Sequence, residues 1–402
     1  GDDRHDMGWI WQAGRRLAGV AEKLLLLVDA LVPKKRQVLF SASNGWTYSD
    51  NARYLYEYMA AHTRERLIWW FHDPHWVRWA RQRGMEAVFA RSLAGLWTAL
   101  RSGVWVMDHG PLLPVWDARR RITVQLWHGV GPKREPARTA PRRVVEKQRQ
   151  FFSRYDLFTT PSREVAPEWG TSIPLKPGAL VLDGYPRHDV LLRDDREAAR
   201  RRIAGALGRP PEALPARVLL YAPTWREQGV EAEPDWTRLE GLLEEADALV
   251  LLRTHPLYSR WRPHRVGERL VPFGRDVAPD IYEHLAGVDV LLTDYSSLAV
   301  DVLVLRRPIV FYVPDLEAYD AARGVHWRFP DEFPGDVATD MDELAAVLGH
   351  VLRTGRLTEA GARRQENLFP RYFAQPPGQA CARLTARIEE LMNRRWPPRT
   401  SA

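Results

Sequence analysis

Residues 289–301, Asp289-Val-Leu-Leu-Thr-Asp-Tyr-Ser-Ser-Leu-Ala-Val-Asp301, decide the fold. A short apolar run, residues 290–293, stops at Asp294-Tyr295-Ser296-Ser297, and helical spacing starts at once. A run this short and apolar on both faces reads as a strand covered on both sides, the condition of a parallel sheet between helices. Ser296 or Ser297 suits the helix N-cap. Free amides, hydroxyls and the positive end of the helix dipole then meet at one point, where an anion can bind. Capping and anion binding use the same donors, so a structural role for these serines does not exclude a functional one.

The same alternation extends outward. Residues 218–221, 248–252 and 309–313 read as strands beside 290–293, and a first set at 37–40, 67–71, 87–89, 104–107 and 122–126 precedes them, with helical spacing at 51–62 and 74–83. A charged, proline-bearing stretch at 194–217 separates the two sets. The class is therefore α/β, with two Rossmann-like, doubly wound domains, whose ligands bind beyond the carboxyl ends of the strands. The expected divisions are 1–32, 33–190, 191–375 and 376–402, the last a helix folding back on the first domain. Residues 8–32 read as an amphipathic helix: Ile10, Ala13, Leu17, Val20, Leu24, Val28 and Leu31 form a stripe, with Trp9 and Trp11 beside it. The basic cluster Lys34-Lys35-Arg36 follows. Such a helix suits a membrane interface; its alternative is packing on the protein body.

Composition narrows the partner. The 402 residues suit two domains, and 45% hydrophobic with 27% charged residues excludes wholesale disorder. A single cysteine, Cys381, excludes a disulfide framework and a thiolate zinc cluster. The net charge of +7, carried mostly by arginine, suits phosphate oxygens, whether of nucleic acid, membrane or a phosphorylated substrate. Seventeen tryptophans fit work near lipid or sugar. The longest apolar stretch, 24–32, is broken by Asp29 and falls short of the roughly 20 residues of a spanning helix. The acidic start lacks the features of a secretory signal, which makes the cytoplasm the expected compartment.

Three further strand ends carry polar chemistry. Trp127-His128-Gly129-Val130-Gly131-Pro132-Lys133 puts a histidine before a glycine-bearing loop, where it can take a proton from an attacking hydroxyl. In Tyr221-Ala222-Pro223-Thr224-Trp225-Arg226 the arginine can fork onto a phosphate. Arg253-Thr254-His255-Pro256 ends another apolar strand. No Walker A loop, G-x-G-x-x-G, G-x-S-x-G elbow or metal-ligand spacing is present.

Together, WHGVGPK (127–133), YAPTWRE (221–227), LLRTHP (251–256) and LLTDYSSLAVDVLVLRRPIVFYVPDLEAY (291–319) resemble the CDP-glycerol glycerophosphotransferase family, which builds poly(glycerol phosphate) or linkage units of teichoic acids and related capsules. PKKRQVLFSASNGWTYSDNARYLYEYM (33–59) and DGYPRHDVL (183–191) extend the resemblance, which covers roughly residues 33–375. The resemblance implies a GT-B fold, with an acceptor domain followed by a CDP-donor domain across a cleft. It implies transfer of glycerol- or ribitol-phosphate from CDP-glycerol or CDP-ribitol to a hydroxyl of an undecaprenyl-diphosphate-linked saccharide, with release of CMP.

By the same resemblance, His128 is the base, and Arg226, His255, Asp294, Tyr295, Ser296 and Ser297 bind the donor. Gly129, Lys133, Arg187 and Thr224 also fall on matching positions. After His-Gly the family continues Thr-Pro-Leu-Lys; here Val-Gly-Pro-Lys leaves Lys133 in register. No resident metal is implied, although a divalent cation such as Mg2+ is compatible, as is a homo-oligomer. The expected location becomes the cytoplasmic face of the membrane, peripherally attached, with no nucleic-acid partner. Two rival readings stay open: a GT-B glycosyltransferase using a nucleotide sugar, and a basic nucleic-acid-binding protein, against which the scattered arginines argue.

Overall fold

The computed structural model describes residues 6–129, 131–134, 140–164, 175–193, 195–224, 233–253 and 269–397, with side chains from residue 19 onward. Two parallel sheets organise it. The first contains β1 (Lys35–Ser41), β2 (Leu67–Phe71), β3 (Glu86–Phe89), β4 (Ser102–Met107), β5 (Ile122–Gln125), β6 (Leu157–Thr159) and β7 (Leu180–Val181), in the order β3-β2-β1-β4-β5-β6-β7. The second contains β8 (Arg217–Ala222), β9 (Ala248–Leu252), β10 (Leu270–Pro272), β11 (Val290–Thr293), β12 (Ile309–Tyr312) and β13 (Asp336–Ala338), in the order β10-β9-β8-β11-β12-β13.

Both orders turn back at the first strand of their set, which opens a crevice at the carboxyl ends of neighbouring strands. These are the two Rossmann-like halves expected from the alternation. Every residue of β2 and β11 is buried, as helices on both faces require. Registers such as Val38 opposite Leu67 and Leu291 opposite Leu220 are set by that two-sided burial.

The first helix, Asp6–Leu31, is anchored at its end. Asp29, which breaks the apolar run, is fully buried against Lys34 Nζ (2.8 Å), the Arg121 guanidinium and the Asp117 amide. Val20, Leu24, Leu27 and Leu31 are exposed. The expected basic cluster is mostly turned inward. Lys34 bonds Asp29 and the Leu100 carbonyl, and Arg36 bonds Glu65 and the Trp396 carbonyl. A buried carboxylate takes the one cation, and a part-buried carboxylate with the Trp396 carbonyl takes the other. Among the described residues no helix is long and apolar enough to cross a membrane.

The halves are linked twice. Helix Pro186–Arg193 leads out of the first sheet, and helix Ala380–Arg395 returns, packing on it and on helix Asp50–His62. Asp189 ties the crossings together by accepting from the amides of Ala380 (2.9 Å) and Cys381 (2.8 Å). Cys381 is buried there as a free thiol.

Candidate active site

A cleft of about 270 Å³ lies between the halves, at the carboxyl ends of β1, β4 and β5 on one side and of β8, β9 and β11 on the other. The first half contributes Ser43, Thr47, Ser49, Asp50, His109 and His128; the second contributes Arg253, Arg275, Asp280, Tyr282, Ser296 and Ser297.

His128 is set by a sharp turn after β5. Trp127 adopts φ 58°, an unfavourable conformation for a bulky residue, and is held from both sides. Its amide donates to Gln125 Oε1 (2.8 Å), and its carbonyl accepts from Asn51 Nδ2 (3.0 Å). His128 Nδ1 then lies 3.1 Å from the Asp108 carbonyl, which fixes the proton on Nδ1 and leaves the Nε2 lone pair for the cleft. Burial, then the His109 and Lys133 charges, hold His128 well below the ordinary histidine pKa. It is neutral at pH 7.

The two glycines after His128 allow close approach to the second half. A Cβ on Gly129 would fall 2.4 Å from Ser297 Oγ, and one on Gly131 would fall 2.7 Å from Ser297 Cα. The loop continues across: Lys133 bridges to Val325, and Pro132 accepts from the His326 amide. His128 is thereby seated beside Ser296 and Ser297. Ser296 Oγ accepts from the Leu298 amide (3.3 Å) at the start of helix Leu298–Val304.

The neighbouring Asp294 and Tyr295 do not line the cleft. Asp294 Oδ1 accepts from the amides of Thr224 (2.8 Å) and Tyr295 (2.5 Å), drawing together the loops after β8 and β11. Tyr295 is fully buried, donates to Asp315 (3.0 Å) and stacks on Tyr319 with centroids 3.9 Å apart. Both shape the wall from behind, and Thr224 is positioned through its backbone. Arg226 and His255 lie outside the described residues.

Arg187 also stands behind the cleft. Its Nε and Nη2 grip the two oxygens of Asp301 (2.8 and 3.0 Å), while Nη1 reaches Asp50 (2.8 Å) and the His128 carbonyl (3.0 Å). It is fully buried between the rings of Tyr185 and Tyr282. This arginine joins the halves to the His128 loop instead of facing a ligand. Burial raises the Asp50 pKa to about 6, with Arg187 opposing and Asp108 adding to the rise.

Several lining residues are not among the expected site residues, although Arg253 stands in one of the strand-end blocks. Arg253 is held by the carbonyls of Phe273 (3.2 Å) and Ala278 (3.0 Å), and burial, then the Arg275 charge, lowers it to about 10, still cationic at neutral pH. Arg253 and Arg275 place two guanidinium charges on the second half's wall. Asp108 and His109 follow β4 as directly as His128 follows β5. The strand-end signal that points to His128 also marks His109 and Arg253; Arg275 and Asp280 lie in turns without a pattern. Among the described residues the carboxylates facing the cleft, Asp50 and Asp280, are already paired, Asp50 with Arg187 and Asp280 with Tyr54 and Arg53. Among the described residues no group of three or more His, Cys, Asp or Glu is arranged to hold a metal.

Comparison with known proteins places this geometry. A family model described as CDP-Glycerol:Poly(glycerophosphate) glycerophosphotransferase matches residues 24–390. The chain is 28% identical over 353 residues to the teichoic acid poly(glycerol phosphate) polymerase of Bacillus subtilis, covering 82% of this chain and 46% of that protein. It thus spans about half the length of that relative. It is 27% identical over 380 residues to the teichoic acid glycerol-phosphate transferase of Staphylococcus aureus, covering 89% of this chain and 94% of that one. In fold it is similar to the wall teichoic acid polymerase TagF, with a TM-score of 0.78 at 23% identity over 97% of this chain and 98% of that chain.

Proposed function

We propose a polyol-phosphate transfer for this chain, which belongs to the CDP-glycerol:poly(glycerophosphate) glycerophosphotransferase family. The donor is CDP-glycerol or CDP-ribitol, and the acceptor is a hydroxyl of a lipid-linked saccharide. One observation carries the reading: His128, its Nδ1 engaged by the Asp108 carbonyl, lines the same cleft as Arg253, Arg275, Ser296 and Ser297.

In the transfer, the acceptor oxygen attacks the donor's β-phosphorus. A new P–O bond forms as the bond to the bridging oxygen breaks, and CMP leaves with that oxygen. His128 Nε2 receives the hydroxyl proton. The arginines and serines carry the diphosphate charge, the main requirement of phosphoryl transfer. Arg226 and His255 belong to this donor set by their positions in the family's blocks. The reading asks for no chain-bound metal; Mg2+ would arrive on the donor's phosphates, and omission of Mg2+ with EDTA added tests whether it is needed.

His128→Ala is expected to lower CMP release by about 10²–10⁴-fold while leaving CDP-glycerol binding intact. Wild-type turnover by that variant removes His128 from the mechanism.

A lipid-linked acceptor requires docking at a membrane, and the exposed Val20, Leu24, Leu27 and Leu31 suit an interface. The body then sits peripherally on the membrane. A truncation that tests this must stop before Asp29, because Arg121 and Lys34 depend on that carboxylate. Removing residues 1–27 is expected to weaken binding to anionic liposomes; unchanged partitioning refutes the docking helix.

A further inference from the structure

We propose that His109 is a second catalytic imidazole: bonded to Asp108, it carries the positive charge of a stacked histidine pair and donates from Nε2 to the phosphoryl group being transferred, while His128 stays free for the acceptor hydroxyl. The proposal rests on the transfer reading above and adds a residue that the sequence blocks do not contain.

The two rings stack in the cleft with centroids 4.2 Å apart and planes 18° from parallel. One residue holds both by Nδ1. The Asp108 carboxylate lies 2.6 Å from His109 Nδ1, and the Asp108 main-chain carbonyl lies 3.1 Å from His128 Nδ1. A carboxylate partner favours the imidazolium; a neutral carbonyl does not. Asp108 is fully buried, and its Oδ1 also accepts from the Ser43 amide (2.9 Å). Its Oδ2 is buried with no hydrogen-bond partner among the described residues, and His109 is the cation in contact with the carboxylate.

Two imidazolium ions at this separation repel strongly, so the pair titrates together with the proton on one ring. The surroundings decide which. Burial opposes charge on His109, but Asp108, then Asp50, outweigh it and the Arg275 charge, and its pKa is raised. His128 faces His109, Lys133 and Arg187, all of which disfavour charge. With Nδ1 engaged, His109 can meet a ligand only through Nε2, as a charge-assisted donor suited to a phosphate oxygen.

His109→Gln keeps a neutral donor near the Nε2 position and removes the charge. Rates of CMP release from CDP-glycerol, measured from pH 5 to 9, test the role. The variant is expected to lose about 10–100-fold in kcat with KM changed less than about threefold. Its acid limb, which reports His128, is expected to move up by about one pH unit or more, because the neighbouring like charge is gone. The alkaline limb due to loss of the His109 proton should disappear.

Imidazole NMR gives a second readout, besides activity. One ring is expected to titrate above 6.5 and to vanish in His109→Gln. A wild type that turns over while His109→Gln matches its kcat and both limbs overturns the proposal alone, as does a His109 ring neutral at pH 7. A wild type releasing no CMP from CDP-glycerol or CDP-ribitol overturns the transfer reading, and the phosphate role of His109 with it.

Discussion

Replacing Arg187 by methionine tests the buried knot that joins the two halves. The side chain is of similar length, so the main loss is chemical. Asp301 gives up a two-pronged contact at 2.8 and 3.0 Å and keeps only His188 Nε2 (2.8 Å) and the Tyr282 hydroxyl (3.2 Å). Asp50 loses its 2.8 Å partner, and the His128 carbonyl loses a 3.0 Å donor. Removing one member of a fully buried pair costs about 3–5 kcal/mol, because the remaining charge is left desolvated.

With a urea dependence of about 2–3 kcal/mol per molar, the unfolding midpoint should fall by roughly 1–2 M, followed by tryptophan fluorescence. Burial tends to raise the Asp301 pKa, but Arg187 and His188 outweigh it and hold it below the ordinary value. The stabilisation from Asp301 is therefore present above that ordinary value and is lost as pH falls through the depressed one. The deficit of the variant should accordingly narrow in acid. Adding Asp301→Asn, which removes the stranded charge, should recover about 1 kcal/mol or more. A single variant within about 1 kcal/mol of wild type, or a double variant whose losses simply add, refutes the reasoning.

Gly131→Ala would set a methyl group 2.7 Å from Ser297 Cα and 2.8 Å from its amide nitrogen, neither of which can rotate away. Pushing the His128 loop off the serine segment should cost about 1–3 kcal/mol in stability and about 10–100-fold in kcat, and an unchanged kcat refutes the close approach. Asp50, with its pKa raised to about 6, binds a proton in the folded state that the unfolded chain releases near pH 4. Its contribution to stability therefore falls as pH rises from about 4 to 6. Asp50→Asn should make the slope of unfolding free energy against pH in that window more positive by up to about 1.4 kcal/mol per unit, and an unchanged slope contradicts the raised pKa.

The long buried strands were legible because a strand covered on both faces carries an unbroken apolar run, as in Leu67–Phe71 and Val290–Thr293. Strands β6, β7, β10 and β13 were not, since two or three residues hold no period and their partners come from elsewhere in the chain. At the cleft, chain order identified the loops but not which way each side chain turns. Ser296 faces the cavity, whereas Tyr295, one residue earlier, turns back to Asp315. Arg187 could be read as a cation beside Pro186, but its partner Asp301 lies 114 positions on. Lys34 and Arg36 looked like surface charges for the same reason: their acids, Asp29 and Glu65, meet them only in three dimensions. Asp108-His109 carries the same strand-end signal, but only the fold shows its ring stacked on His128.

The paired crossings between the halves have a mechanical consequence. A lone linker would let the second half swivel in any direction, like a ball in a socket. Two helices stitched through Asp189, with the buried Arg187–Asp301 pair beside them, fix the second half at more than one point. The serines of the second half and the stacked histidines of the first are thereby held facing one another across the cleft.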